Sequence, residues 1–326
     1  MTINKDSRIV EVFSRDLFKK EVDAKELKGA HEYIKELASN PSPDNRYEIA
    51  QIMSFIMNDA LTQRVNYLEQ IADVKTTGIG EKAQFKVEID GIKAMFQAKS
   101  ASTERSKVSN KFVTLETEEV SVRPTVSFLD LATGKVNLVD VAQKAVVQME
   151  LAIVKRIQDS IYSAFSAMST PNYAKGAGIV KGTFDPILMA MNRAGGSASV
   201  VGDVEALSKF TAITGFNNNV ADALALEHNQ NGMIGSYLSA NLVKLNNPFQ
   251  AGSLTDTVLD KGLVYVVPNG DESLRPIKVQ LEGGVQTTDA PVNINSKEVE
   301  FRFDQYVGVG VIGVRKLLGV YEDETL

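Results

Sequence analysis

The chain has 326 residues, 44% of them hydrophobic and 23% charged, with a formal net charge of −6, a profile that builds a packed core and excludes intrinsic disorder. It has no cysteine and two histidines, His31 and His228, which excludes disulfides and thiolate chemistry and leaves little for zinc or a histidine-based triad. The acidic balance argues against a dedicated nucleic-acid reader, so any nucleic-acid contact is expected to be loose and non-specific.

Met1 to Val10 mixes Lys5, Asp6 and Arg8 with polar residues and offers no apolar secretory segment, so the protein is expected to be made and kept in a cytoplasm. Lys20 to Ala38 places Ala24, Leu27, Ala30, Ile34 and Leu37 at helical spacing, predicting an amphipathic helix. Asn40-Pro41-Ser42-Pro43 breaks it. Asp44 can then cap a second helix over about 45–73, with an apolar stripe through Ile49, Ile52, Met53, Ile56, Met57, Ala60, Val65, Leu68 and Ile71.

Phe85 to Phe96 reads as two alternating strands joined by Asp90-Gly91, a pair suited to a type I′ turn. A two-residue loop there would set Ile89 against Ile92, Val87 against Ala94 and Phe85 against Phe96 on one face. An isolated two-stranded ribbon is marginal in water, and leaving that face wet would forgo on the order of 10 kcal/mol. Phe85, Val87, Ile89, Ile92, Ala94 and Phe96 are therefore candidate subunit-interface residues. Gly78 and Gly80, just before the ribbon, are candidate hinges.

Phe112 to Phe128 returns to strand character, with a change of phase that implies a bulge or bend near Glu116 to Glu119. Asn137 and Asp140 open a long helix over about 138–168, roughly 46 Å at 1.5 Å per residue, apolar on two sides and so expected to pack between layers. From Gly182 to Pro268 the elements shorten. Asp185-Pro186 reads as an N-cap and first helical position, Ser199 to Val201 as a buried strand, Asp203 as the cap of a helix to about Ile213, Asn217 to Asn219 as the lead-in to another helix through Leu226, and Met233 to Leu245 and Leu263 to Val267 as strands, an α/β pattern. Pro276 to Leu281, Val299 to Asp304, Val307 to Val314 and Leu317 to Tyr321 complete the chain as strands.

Gly308-Val-Gly310-Val-Ile-Gly313 has the spacing of a dinucleotide-binding fingerprint. That fingerprint requires a following helix and an acidic residue about 20 positions on, and the chain ends too soon for either. The glycines instead suit a strand that another backbone approaches closely. Glu116, Glu118 and Glu119, and Asp256 with Asp260, read as solvated carboxylates. His228 reads as a surface histidine, and Lys19-Lys20 and Lys155-Arg156 as solubilising charge. No catalytic residue, cofactor or metal is expected.

The hairpin Phe85 to Phe96, the run from Arg123-Pro-Thr-Val-Ser-Phe128 through Met168, the stretch Asn231-Gly-Met-Ile-Gly-Ser-Tyr237 and the closing strands Val299 to Tyr321 together resemble the major capsid proteins of tailed bacteriophages, the HK97-like fold. The resemblance covers nearly the whole chain. It implies an α+β protein with a helical N-terminal arm at 1–74, an extended β-hairpin loop at 75–127, a peripheral domain with a long spine helix at 128–181 and 271–326, and an axial α/β domain at 182–270. It also implies self-assembly into hexameric and pentameric capsomers of an icosahedral virion shell that encloses double-stranded DNA, built in a host cytoplasm with portal and scaffolding proteins and no membrane. An encapsulin-type compartment shell shares the fold and is the alternative. Lys93, Lys99, Lys107 and Lys111 lie in or near the loop, but none matches a cross-linking lysine of the family, and no covalent cross-link is expected.

Overall fold

The computed structural model describes residues 3–65, 69, 72–89, 109–166, 168, 170–212, 233–250, 252–269, 275–288, 292, 298–312 and 318–326. Three helices open it: α1 (Ile3–Leu17), α2 (Ala24–Ser39) and α3 (Pro43–Val65). Asp23 caps α2 by accepting the Lys25 N–H at 2.9 Å, and the predicted apolar stripe turns inward as Ala30, Ile34, Leu37 and Ala38. At the start of α3 the capping hydroxyl is that of Ser42, which accepts the Asn45 N–H at 3.2 Å, while Asp44 lies in the first turn. The helix expected to reach residue 73 is described to Val65, and Ala72–Thr77 is instead a strand, β1, whose partner lies far along the chain. Helical periodicity carries no signal for so distant a partner.

The remaining elements are β2 (Gln84–Ile89), β3 (Ser109–Thr114), β4 (Glu118–Val122), β5 (Thr125–Ser127), α4 (Phe128–Thr133), α5 (Leu138–Phe165), β6 (Tyr173–Gly176), α6 (Lys181–Gly195), β7 (Ala198–Gly202), α7 (Val204–Ser208), β8 (Ser236–Tyr237), β9 (Ala240–Lys244), β10 (Leu263–Pro268), β11 (Ile277–Thr287), β12 (Glu298–Glu300), β13 (Phe303–Val311) and β14 (Gly319–Asp323). Asn137 caps the spine helix α5 as predicted, accepting the Val139 N–H at 3.0 Å. The two-sided apolar pattern of α5 meets α3 on one side and β13 and β4 on another.

Two sheets organise the molecule. The first has the order β1-β11-β13-β4, with β1 parallel to β11 and the other pairs antiparallel. α3 packs on β11 and α5 on β13, so α1 to α5 and this sheet share one large core that includes Phe13, Met53, Met149, Phe165 and Phe301. The helices at 1–74 thus bury their apolar faces in the body of the subunit.

The second sheet has the order β6-β14-β10-β7-β9-β8. All residues of β7 and β10 are buried, as expected for central strands covered on both faces. α6 lies across it over a second core in which the Phe184 ring meets Phe210 at 4.9 Å and Tyr321 at 5.6 Å edge-on. The closing strand β14 enters this sheet between β6 and β10, so the 182–270 elements share their sheet with strands from the flanking ranges.

Three local expectations are corrected here. Asp185-Pro186 does not start a helix: α6 begins at Lys181, Pro186 lies exposed within it, and the Asp185 carboxylate turns inward to accept the Tyr237 hydroxyl at 2.9 Å. Gly182, four residues before the proline, is exposed, so the carbonyl that the proline leaves unpaired lies at the surface. The single strand expected over Met233 to Leu245 is divided into β8 and β9 by a two-residue turn with Leu238 at φ 45° and Ser239 at φ 70°, the positive-φ pair that a tight hairpin needs. The alternating run Val299 to Asp304 likewise splits into β12 and β13, which join different sheets. The helix expected after Asn217 to Asn219 through Leu226, and His228, lie outside the described residues. Among the described residues no helix is long and apolar enough to cross a membrane.

Candidate assembly site: the hairpin and its seat

β2 and β3 pair only with each other among the described residues, in the register Phe85↔Val113, Val87↔Lys111 and Ile89↔Ser109. The expected first strand is present as β2, and its described partner is 109–114. The turn at Asp90-Gly91 and the residues Ile92, Ala94 and Phe96 lie outside the described residues. A turn signal is local, and it does not report the pairing of β2 with the more distant strand β3.

Phe85, expected to face a neighbouring copy, is instead fully buried by its own chain. It sits at the root of the ribbon in a small cluster with Ala83, Leu115 and the partly buried Ile312. The ammonium groups of Lys75 and Lys278 lie 5.0 and 5.9 Å from its ring centroid, a favourable arrangement over an aromatic face. The exposed aromatic of the ribbon is Phe112, which stands 58% exposed opposite Lys86. Sequence reasoning passed over it because Phe112 falls on the phase opposite Val113 and Leu115.

The candidate hinge glycines are tied down. Glu81 N–H donates to the Gly78 carbonyl at 3.1 Å, closing a turn in which Gly80 holds φ +79°, a conformation that strains any L side chain. Gly78 N–H donates to the Glu81 carboxylate at 3.1 Å, and Gly80 N–H to the Glu282 carboxylate at 2.7 Å. Gln280, fully buried on β11, donates to Thr77 Oγ1 at 3.0 Å and to the Glu81 carbonyl at 2.8 Å.

The glycine-spaced motif is a seat for the other root of the ribbon. Gly308 and Gly310 lie within β13; a Cβ on Gly308 would stand 3.1 Å from the Glu116 carbonyl oxygen, and one on Gly310 would stand 2.5 Å from Leu115 Cδ2. This is the close backbone approach that the sequence suggested. The predicted bend falls at residues 115–117, where the chain leaves β3 for β4 in a different sheet. Gly313 lies outside the described residues.

Several of the remaining charged candidates hold structural partners. Glu118 accepts from Arg156 at 2.7 Å, and Glu119 from Arg302. Asp256 accepts the Ser253 hydroxyl at 3.1 Å and Asp260 the Gly262 N–H at 2.9 Å. Lys155 pairs with Asp159 at 3.5 Å, Lys20 lies over the Phe18 ring, and His31 meets Phe13 edge-on.

The family model described as "SPbeta prophage-derived putative capsid protein YonB" matches residues 1–321. The chain belongs to this capsid family. Solved structures resemble the capsid protein across most of its length. A chain from Microbacterium phage Oxtober96 is 11% identical with a TM-score of 0.53, over 77% of this chain and 89% of that one. One from Mycobacterium phage Adephagia is 12% identical with a TM-score of 0.51, over 78% and 89%. The capsid of a native GTA particle computed with C5 symmetry is 13% identical with a TM-score of 0.50, again over 78% and 89%. At such identities the likeness establishes the fold, and it is HK97-like, as the order of elements implied. No curated protein matches the chain.

Proposed function

We propose that this capsid protein self-assembles into hexameric and pentameric capsomers of an icosahedral phage shell that encloses double-stranded DNA through non-specific contacts. The observation that carries this is the ribbon β2–β3. It joins no other strand among the described residues and exposes Phe112, and such a ribbon is marginal until something covers it. In a self-assembling shell, the cover is another copy of the chain. The role is structural, with no catalytic residue. Portal and scaffolding proteins are the further partners, assembly takes place in the host cytoplasm, and 128–181 with 271–326 and 182–270 act as the peripheral and axial parts of each subunit.

An encapsulin-type compartment shell would use the same fold, and the family match favours the phage shell over it. Electron microscopy and sedimentation of the purified chain test the assembly reading. Closed shells, tubes or five- and six-membered rings are expected. A uniform monomer at every concentration and salt condition tried would refute it.

A further inference from the structure

One carboxylate holds both roots of the ribbon. Glu282 on β11 accepts the Gly80 N–H at 2.7 Å through Oε1 and the Thr117 hydroxyl at 2.6 Å through Oε2. Gly80 lies just before β2 and Thr117 just after β3, so the chain is fastened to the same residue where it enters the ribbon and where it leaves.

The strand that carries Glu282 is distorted at that point. β11 pairs regularly with β13 through Glu282↔Tyr306 and then slips, so that the next pair is Gln286↔Asp304. Gly283 takes φ +69° within this bulge. Gln305, 2% exposed, places Nε2 within 3.0 Å of the Glu282 carbonyl, 3.1 Å of the Tyr306 carbonyl and 3.4 Å of the Gly283 carbonyl. Asn58 of α3 accepts the Val285 N–H at 3.3 Å. Bulges re-aim side chains, and this one is braced from two sides. Ile79, between Gly78 and Gly80, packs so near Gly283 that a Cβ there would stand 2.7 Å from Ile79 Cγ1.

We propose that Glu282 is a positioning residue for assembly, setting the direction in which the ribbon leaves the subunit. The proposal rests on the shell-forming reading above. Hydrogen bonds from Thr117 and from the Gly80 N–H, together with the nearby Lys82 charge, hold the Glu282 carboxyl below its ordinary range, so it is ionised when it accepts both donors. The leverage is geometric. The six residues of β2 extend about 20 Å at 3.4 Å per residue, so a 10° change at the root moves the far end by about 3.5 Å. Constellations that must dock tolerate displacements of about 0.5 Å.

The test uses the full-length protein as wild type and as Glu282→Ala, Glu282→Gln and Thr117→Val. Hydrogen exchange on unassembled protein reads the clamp, and particle yield by electron microscopy reads assembly. Glu282→Ala is expected to melt within a few degrees of wild type, to exchange at Gly80 at least tenfold faster, and to form at least tenfold fewer closed particles. Glu282→Gln keeps one carbonyl acceptor and should recover part of both; Thr117→Val should loosen 115–118 while sparing Gly80. Unchanged exchange in Glu282→Ala overturns the clamp. Faster exchange with wild-type particle yield overturns the positioning role. A wild-type chain that never associates overturns the assembly reading and the positioning role with it, while its exchange still decides whether the clamp exists.

Discussion

Replacing Phe85 by alanine should open the root of the ribbon and leave the rest of the subunit intact. The ring is fully buried, yet among the described residues its cluster comprises only Ala83, Leu115 and the partly buried Ile312, apart from the two large cores. Removing a buried phenylalanine costs about 3–5 kcal/mol, and here that loss falls on a local opening equilibrium. At 1.4 kcal/mol per factor of ten, 3 kcal/mol is roughly two orders of magnitude. Exchange of the amides at 84–86 and 111–115 should therefore accelerate about 100-fold, with β10 unaffected. Phe112, 58% exposed on the same ribbon, is the control: its alanine variant should change folding stability by no more than about 0.5 kcal/mol but reduce particle formation. Exchange at the root of Phe85→Ala within threefold of wild type would show that the ring is not a core residue. A Phe112→Ala variant as unstable as Phe85→Ala would refute the assignment of one ring inward and one outward.

Gly310→Ala should cost about 1–3 kcal/mol by overpacking against Leu115. Adding Leu115→Ala should recover part of that loss, since the two residues share one space; strictly additive costs in urea unfolding would argue against the seat. Calorimetry with nicotinamide dinucleotides should give no saturable heat, and micromolar binding would revive the fingerprint reading of Gly308 to Gly313. Burial alone would raise the Asp323 carboxyl, but Lys209 at 2.8 Å, the Thr325 hydroxyl and N–H, and the Gly178 N–H hold it at about 2. The stability contributed by this depressed carboxylate is complete above about pH 4 and is lost as pH falls through about 2. Asp323→Asn should thus cost about 2.5 kcal/mol at neutral pH, the value of the depressed carboxylate at about 1.36 kcal/mol per pH unit, while Lys209 keeps its bond to the Thr325 hydroxyl. Its gap from wild type in urea midpoint should close below pH 4, and a gap that stays constant down to pH 2 would exclude this carboxylate as the cause.

Local signals read well where one residue decides one element. Asn137 before a long apolar stripe marked α5, Asp203 marked α7, accepting the Glu205 N–H at 2.7 Å, and short β-branched runs marked β7 and β10. What stayed hidden depends on partners distant in the chain. β1 continues an apolar stripe that looks helical, and only its pairing with β11 makes it a strand. The ribbon's first strand and the strand character from Phe112 onward were legible, whereas the pairing of the two was not, because Asp90-Gly91 offered a nearer turn. Glu282 looks like any exposed glutamate on a strand; the visible clue was Gly283-Gly284 within a strand pattern, a mark of a bulge. Phe85 was assigned to an interface because alternation shows which side is apolar and not what covers it.

The buried pair Lys278–Asp73 shows how the seat of the ribbon is kept in register. Lys278 is 2% exposed and lies 3.0 Å from Asp73, its partner across the parallel β1·β11 pairing. A buried ion pair adds little net stability over an apolar pair of similar size, but separating its members strands two charges at a cost of about 3–5 kcal/mol. Sliding β1 by one residue would do that, and it would also turn the side chains of β1 to the opposite face. The same slip would carry Gly78 and Gly80 away from Glu282, because the turn follows β1 directly. The pair thus excludes the alternative registers of β1, and the carboxylate of Glu282 can find both roots of the ribbon only in the register that remains.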